Sequence, residues 1–343
     1  MAGTRDHISR PAHYLVRAAV TAPSLHNSQP WLFVARDDVL ELYADPARRL
    51  RTTDPGGREL TVSCGAALFN VRLAMRHLGF RPLVRACDEP GRRNLLAEIR
   101  WGPYEPPGAD EELLHRALTL RHTHRGPFLP GSLPEPLLRG LAGQCRAEGA
   151  LLRVVADAEG ASRIAEAVRE AETVWRADPS AASEIARWAP VAAPVPEGEE
   201  RSVHPAYPDG TAFAGRDYTG RSRHGCWREP VAGAGAPGAV VVLATRRDDR
   251  RDRLLAGQAL QRMLLAAAAY DVRAAFHTQP LEIPALRERL RRTVTFGFPP
   301  QVVLRLGRAS GSVPTARRPA AEVLSGIASA GPVPAAAPRR SGV

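Results

Sequence analysis

Cys64-Gly-Ala-Ala-Leu-Phe-Asn-Val-Arg-Leu-Ala74 and Ala256-Gly-Gln-Ala-Leu-Gln-Arg-Met-Leu-Leu-Ala266 are two versions of one helical pattern. Laid over each other they match Gly65 with Gly257, Ala67 with Ala259, Leu68 with Leu260, Leu73 with Leu265 and Ala74 with Ala266. Any two helices with one apolar face share part of such spacing by convergence. The surroundings go further, because each copy follows a strand-like run and leads on to a similar strand end, Ile99-Arg-Trp-Gly102 and Leu304-Arg-Leu-Gly307. The shared order of strand, helix and strand predicts an α+β chain made of two tandem, related halves.

Working outward, residues 10 to 20 read as a helix. Leu32 to Arg36 and Val39 to Ala44 read as a hairpin turning at Asp37-Asp38. Asp54-Pro-Gly-Gly57 is a turn, Glu59 to Leu78 a helix closed by Gly79, and Arg81 to Ala86 and Leu95 to Trp101 are strand-like. Proline and glycine between Gly102 and Asp110 mark a linker. The first half is therefore expected at 10–105 and the second at 111–325, with a tail at 326–343. Helices are expected at 111–120, 134–148, 161–177 and 180–188, then a buried strand at 239–245, a core helix at 254–269 and a strand at 301–306. Residues 189–230 break into proline, glycine and isolated aromatics, either a disordered insertion or a lid. Beyond Leu324 the composition reads as disordered tail.

All 47 basic residues are arginine, which removes lysine Schiff bases and phosphate-loop lysines. The net charge of +11 is spread along the chain without interleaved aromatics, so no nucleic-acid partner is expected. The four cysteines form no C-x-x-C pair, which implies neither a zinc site nor a disulfide framework. No leader-like segment opens the chain and no apolar run is long enough to span a bilayer, so a cytoplasmic protein without a membrane partner is expected.

Thr21-Ala-Pro-Ser-Leu-His-Asn-Ser-Gln-Pro-Trp31 lies between the first helix and the hairpin. Pro23 and Pro30 stiffen its ends, while Ser24, Asn27, Ser28 and Gln29 offer neutral donors and acceptors in quick succession. It is either a plain turn or a loop that reads the flat polar edge of a ring such as isoalloxazine. Arg121-His-Thr-His-Arg125 can be a basic turn, a metal site using His115, His122 and His124, or a phosphate grip in which Arg121 and Arg125 flank the Thr123 hydroxyl. Arg317 and Arg318 add charge after the last strand, and Thr278 and Gln279 add hydroxyl and amide groups in a second loop. Gly233-Ala-Gly-Ala-Pro-Gly238 matches G-x-G-x-x-G, but a strand follows it and no helix opens there, so it is rejected as a dinucleotide site.

Together these segments resemble the nitroreductase-like flavoproteins, most closely the two-repeat Acg family of FMN-binding proteins. The loop carries A-P-S-x-x-N-x-Q-P-W through Ala22, Pro23, Ser24, Asn27, Gln29, Pro30 and Trp31. Arg121, His122, Thr123 and Arg125 resemble the arginine segment that binds FMN, and Arg317 and Arg318 the basic pair that holds its phosphate. The resemblance implies an intramolecular pseudo-dimer: the first half brings the loop, the second the arginines, and one chain acts as a monomer with one FMN site. It also implies hydride transfer through flavin N5 from NAD(P)H to an electron-poor small-molecule acceptor, with no protein residue named as catalytic. A different class of function stays open, in which a lid at 189–230 seals FMN in a binding or storage protein. A flavin-dependent desaturase is a third reading.

Overall fold

A computed structural model describes residues 10–88, 90–125, 128–188, 212, 213, 215, 216, 238–310 and 314–327. Helix α1 (Arg10–Ala19) leads through the polar loop into strands β1 (Trp31–Arg36) and β2 (Val39–Ala44). Next come α2 (Arg58–His77), β3 (Phe80–Ala86), β4 (Leu95–Tyr104), α3 (Ala109–Arg116) and α4 (Glu135–Ala147). Strand β5 (Leu151–Val155), helices α5 (Ala158–Ala177) and α6 (Pro179–Trp188), strand β6 (Ala239–Ala244) and helix α7 (Arg250–Ala269) follow. The chain closes with β7 (Arg273–Phe276), α8 (Pro284–Thr293), β8 (Pro300–Gly307), α9 (Ala320–Val323) and β9 (Leu324–Ile327).

Five strands form one sheet in the order β3-β4-β2-β1-β9, and four form a second in the order β5-β6-β8-β7. The expected hairpin is present, with Trp31 paired to Ala44 and Asp37 in the left-handed region at the turn. Phe33, Leu42 and Ile99 face a core shared with α2 and α7, whereas Arg36, Glu41, Arg92 and Glu98 pair as ions on the sheet's other face. Strand β6 alternates between two cores, since Val241 and Leu243 join that same core while Val240 and Val242 meet Ile164, Val168 and Leu290 on α5 and α8. The second sheet is thus a middle layer with helices on both faces.

Helices α2 and α7 cross where the two copies of the sequence pattern share a glycine. A Cβ built on Gly65 would lie 2.2 Å from Leu254 O, and one built on Gly257 would lie 1.9 Å from Val62 O. Neither distance is tolerable, so the crossing depends on backbone lying directly on backbone. Buried Asn70 ties the layer to the loop: its amide donates to Ala18 O and to Thr21 Oγ1, both at 3.0 Å, and it accepts from Gln261 at 2.8 Å.

The strands β5 and β7 and the helix α8 go beyond the expected elements. Strands of five and four residues carry too few alternations to read, and the arginine-rich α8 buries only Leu286 and Leu290. The tail read as starting beyond Leu324 first contributes β9, which runs parallel to β1 and carries the end of the described chain back onto the first sheet. Most of 189–230, residues 233–237 of the glycine run and residues 328–343 lie outside the described residues. No helix among the described residues is long and apolar enough to cross a membrane.

Candidate active site

The polar loop is strained and pinned from several directions. His26, Asn27 and Gln29 have φ of 50°, 57° and 49°, a left-handed run that costs on the order of 1 kcal/mol or more per residue. Its cross-ties offset that cost: Gln29 N donates to Ser24 Oγ at 2.9 Å, Leu25 N to Ser63 Oγ at 3.3 Å, and Arg48 to Ser28 O at 2.8 Å. The segment after β8 runs alongside. Asn27 donates to Ala316 O and accepts from Arg317, while Gln29 Oε1 accepts from Arg318 N at 2.8 Å. The loop's amides thus hold the strap that carries Arg317 and Arg318.

That strap completes a cluster of positive charge. Arg121, 3% exposed, donates to Thr21 O at 3.1 Å, and its Nε has no partner among the described residues. Burial, then the nearby Arg317, pushes its pKa down to about 9. Burial, then the nearby Arg125, pushes Arg317 down to about 10, and Arg317 Nε is likewise buried without a partner among the described residues. Three guanidinium groups therefore converge, and among the described residues no carboxylate offsets the charge of Arg121 or Arg317. Burying cations in this way costs several kcal/mol unless an anion answers them.

Arg125 and Thr123 lead from this cluster into a cavity enclosing about 740 Å³ of empty space, its mouth included. Val62, Leu260, Phe276 and Val302 give the cavity an apolar part. Ser24, Thr278 and Gln279 line it too, and both polar atoms of the Gln279 side chain are buried with no partner among the described residues. Thr123 is held at that place by a parallel bridge to Ala274 of β7, with His124 N donating to Ala274 O at 2.9 Å.

Charged residues that the sequence did not single out also face the cavity. Arg216, from the 189–230 segment, donates to His26 Nε2 at 3.0 Å and pairs with Glu282 at 2.6 Å. Burial first, then Arg216 and Arg125, holds His26 well below the usual imidazole range, so the neutral ring can accept that bond. Phe213 is buried beside the His277 ring and under the Arg305 guanidinium, 5.2 Å from the ring centre. Glu59 lines the cavity from the first turn of α2 and pairs with Arg58. The partners of Arg216 and Phe213 lie far from them in sequence, so spacing could not reveal them; Glu59, paired with its neighbour Arg58, reads only as an acidic first helical turn.

Of the residues proposed from sequence, Ser24, Thr123, Arg125, Thr278 and Gln279 line the cavity, and Arg121 and Arg317 form the arginine cluster beside Arg125. His122 is half-buried beside Arg121 and Arg317, and burial first, then those charges, lowers its pKa. Asn27, Gln29 and Arg318 bind one another's segments instead, with Arg318 also donating to Glu322 O. Among the described residues no group of three or more His, Cys, Asp or Glu is placed to hold a metal, and His115 bonds Tyr14 and stacks on His77.

No family model matches the chain. It is 34% identical over 316 residues to Rv3131 of Mycobacterium tuberculosis (strain ATCC 25618 / H37Rv), assigned by name as an NAD(P)H nitroreductase, covering 89% of this chain and 88% of that one. It is 31% identical over 314 residues to acg of the same strain, assigned the same activity by name, covering 90% and 93%. Among solved structures, a nitroreductase with bound FMN from Desulfitobacterium hafniense DCB-2 overlays with a TM-score of 0.37 and 14% identity, covering 60% of this chain and 93% of that chain. So loose an overlay carries no argument about fold or site.

Proposed function

This chain belongs to the NAD(P)H nitroreductase family of Rv3131 and acg, and on that premise we propose that it is an FMN-dependent oxidoreductase. The observation that carries the reading is the cluster of Arg121, Arg317 and Arg125, the last of which lines the cavity. A terminal phosphate dianion answers that charge, and guanidinium groups bind phosphate through paired, planar N–H donors. Thr123 adds a hydroxyl beside them. Ser24, Thr278 and Gln279 supply polar groups toward the ring, and the unpartnered Gln279 amide fits a group with both donors and acceptors on its edge.

Bound flavin supplies hydride transfer through N5, from NAD(P)H to an electron-poor small molecule. The protein's share is to hold the phosphate, orient the ring and control entry. One complete site per chain follows from the way the parts are divided: the loop comes from 10–105, and the arginines and the Thr278 loop from 111–325. The Gly65/Gly257 crossing supports an intramolecular pseudo-dimer of those two halves, because equivalent positions meet as they do across a twofold interface. The chain then acts as a monomer, and a cytoplasmic location suits the buried free thiols Cys64 and Cys145.

A second reading rests on a specific observation. Arg216 brings part of the 189–230 segment to the cavity wall, and Phe213 is buried against His277 and Arg305, which suits a lid that stores FMN and excludes nicotinamide. Anaerobic mixing of the FMN-loaded protein with NADH or NADPH separates the two. The oxidoreductase bleaches its flavin band, whereas a flavin that stays yellow with both donors overturns that reading in favour of storage.

A further inference from the structure

Glu59 and Glu282 lie in the wall between two cavities. Both line the inner cavity described above, and both line an outer groove, open to solvent, that Arg253, Arg287, Glu288 and Arg291 help to form. Arg58 touches the groove and pairs with Glu59; Arg216 touches the inner cavity and pairs with Glu282. Glu282 Oε2 is buried and has no hydrogen-bond partner among the described residues, so one oxygen is free to carry a proton.

We propose that Glu59 and Glu282 form a proton relay, carrying protons from the outer groove to the acceptor reduced in the inner cavity. The proposal rests on the hydride-transfer reading given above. An acceptor that takes a hydride also takes a proton to stay neutral. With a quinone, hydride and proton together give the hydroquinone: one carboxyl O–H of the pair breaks as the O–H of the product forms. The pair is left as two carboxylates, which recover one proton from water in the groove.

The surroundings support a shared proton. Two buried carboxyls that share both cavity walls and feel each other's charge resist losing both protons and titrate as a pair. The charged groups facing them are Asp54, Arg58, Glu172 and Arg216, with the neutral His26 behind Arg216. Burial outweighs Arg58, and with Glu282 and Asp54 nearby it raises Glu59 to about 8; burial also raises Glu282 against Arg216.

The test uses the full chain with FMN, and 1,4-benzoquinone as the acceptor. FMN titration followed by fluorescence comes first. No binding by the wild type overturns the functional reading and the relay with it. With FMN bound, Glu59→Gln and Glu282→Gln are expected to keep wild-type affinity and bleach normally with the nicotinamide donor. Their reoxidation by quinone is expected to slow by about a hundredfold, the scale of a lost general acid, with a flattened pH profile. Glu288→Gln, on the groove but outside the pair, should behave as wild type. Infrared spectra of the FMN-free wild type should show a protonated-carboxyl band at neutral pH that Glu59→Gln removes, a readout independent of turnover. Unchanged reoxidation in both variants, or no such band in the wild type, overturns the relay while leaving the flavin reading intact.

Discussion

Arg121 shows how a buried residue can be costly to fold and useful to a ligand. Its guanidinium bonds one backbone carbonyl and feels Arg317 beside it, so an arriving phosphate gains more there than at a solvated arginine. Arg121→Ala should weaken FMN binding by about 1.5–3 kcal/mol, the worth of a charge-assisted hydrogen bond. Fluorescence titration checks this, and unchanged affinity would remove Arg121 from the phosphate site. Glu59 makes a separate, pH-dependent prediction. Its folded value of about 8 lies above the ordinary 4.5, so the folded protein holds that proton more tightly than the unfolded chain. The stability this lends is complete below about pH 4.5 and is lost as pH rises through about 8. The denaturant midpoint should fall across that window, and Glu59→Gln should flatten the fall. The grouping of Arg121, Thr123 and Arg125 was legible in the sequence because one short segment holds all three. The bond between Gln29 and Arg318 was not, because its two ends lie 289 positions apart.

Among the elements, the pair α2 and α7 governs the packing. Gly257→Ala would drive a Cβ into Val62 O, backbone against backbone, where no side chain can yield. We expect a loss of about 3 kcal/mol or more, at or above the usual range for overpacking, or a chain that fails to fold. Gly140→Ala on α4, where an added Cβ meets nothing within 4 Å, should instead gain about 0.5–1 kcal/mol from helix propensity. Thermal unfolding of the two variants side by side checks both signs. The sequence matched Gly65 with Gly257 as equivalent positions of two helical patterns, but did not show their direct contact, since pattern spacing does not say which helices pack together. The helix α6 is a second such case. Its Glu184 carboxylate accepts from the backbone N–H groups of Arg51, Thr52 and Thr53, a contact that no periodicity announces.

For the whole molecule, the path of the chain decides what kind of site is built. The C-terminal strap passes the polar loop and ends as β9 on the first sheet, so Arg317 reaches Asn27 from the far end of the sequence. The alternation of strands and helices was enough to suggest an α+β chain of two related halves. The return of β9 was not legible, since a four-residue strand at the head of an Ala- and Pro-rich tail has no pattern of its own. The account stands on one flavin site assembled from both ends of a single chain. Equilibrium binding of FMN to the purified protein, with the molar ratio read by absorbance and the mass in solution by sedimentation, tests this most directly. One FMN per chain on a particle of one chain's mass is the predicted result; two per chain, or none, would contradict it.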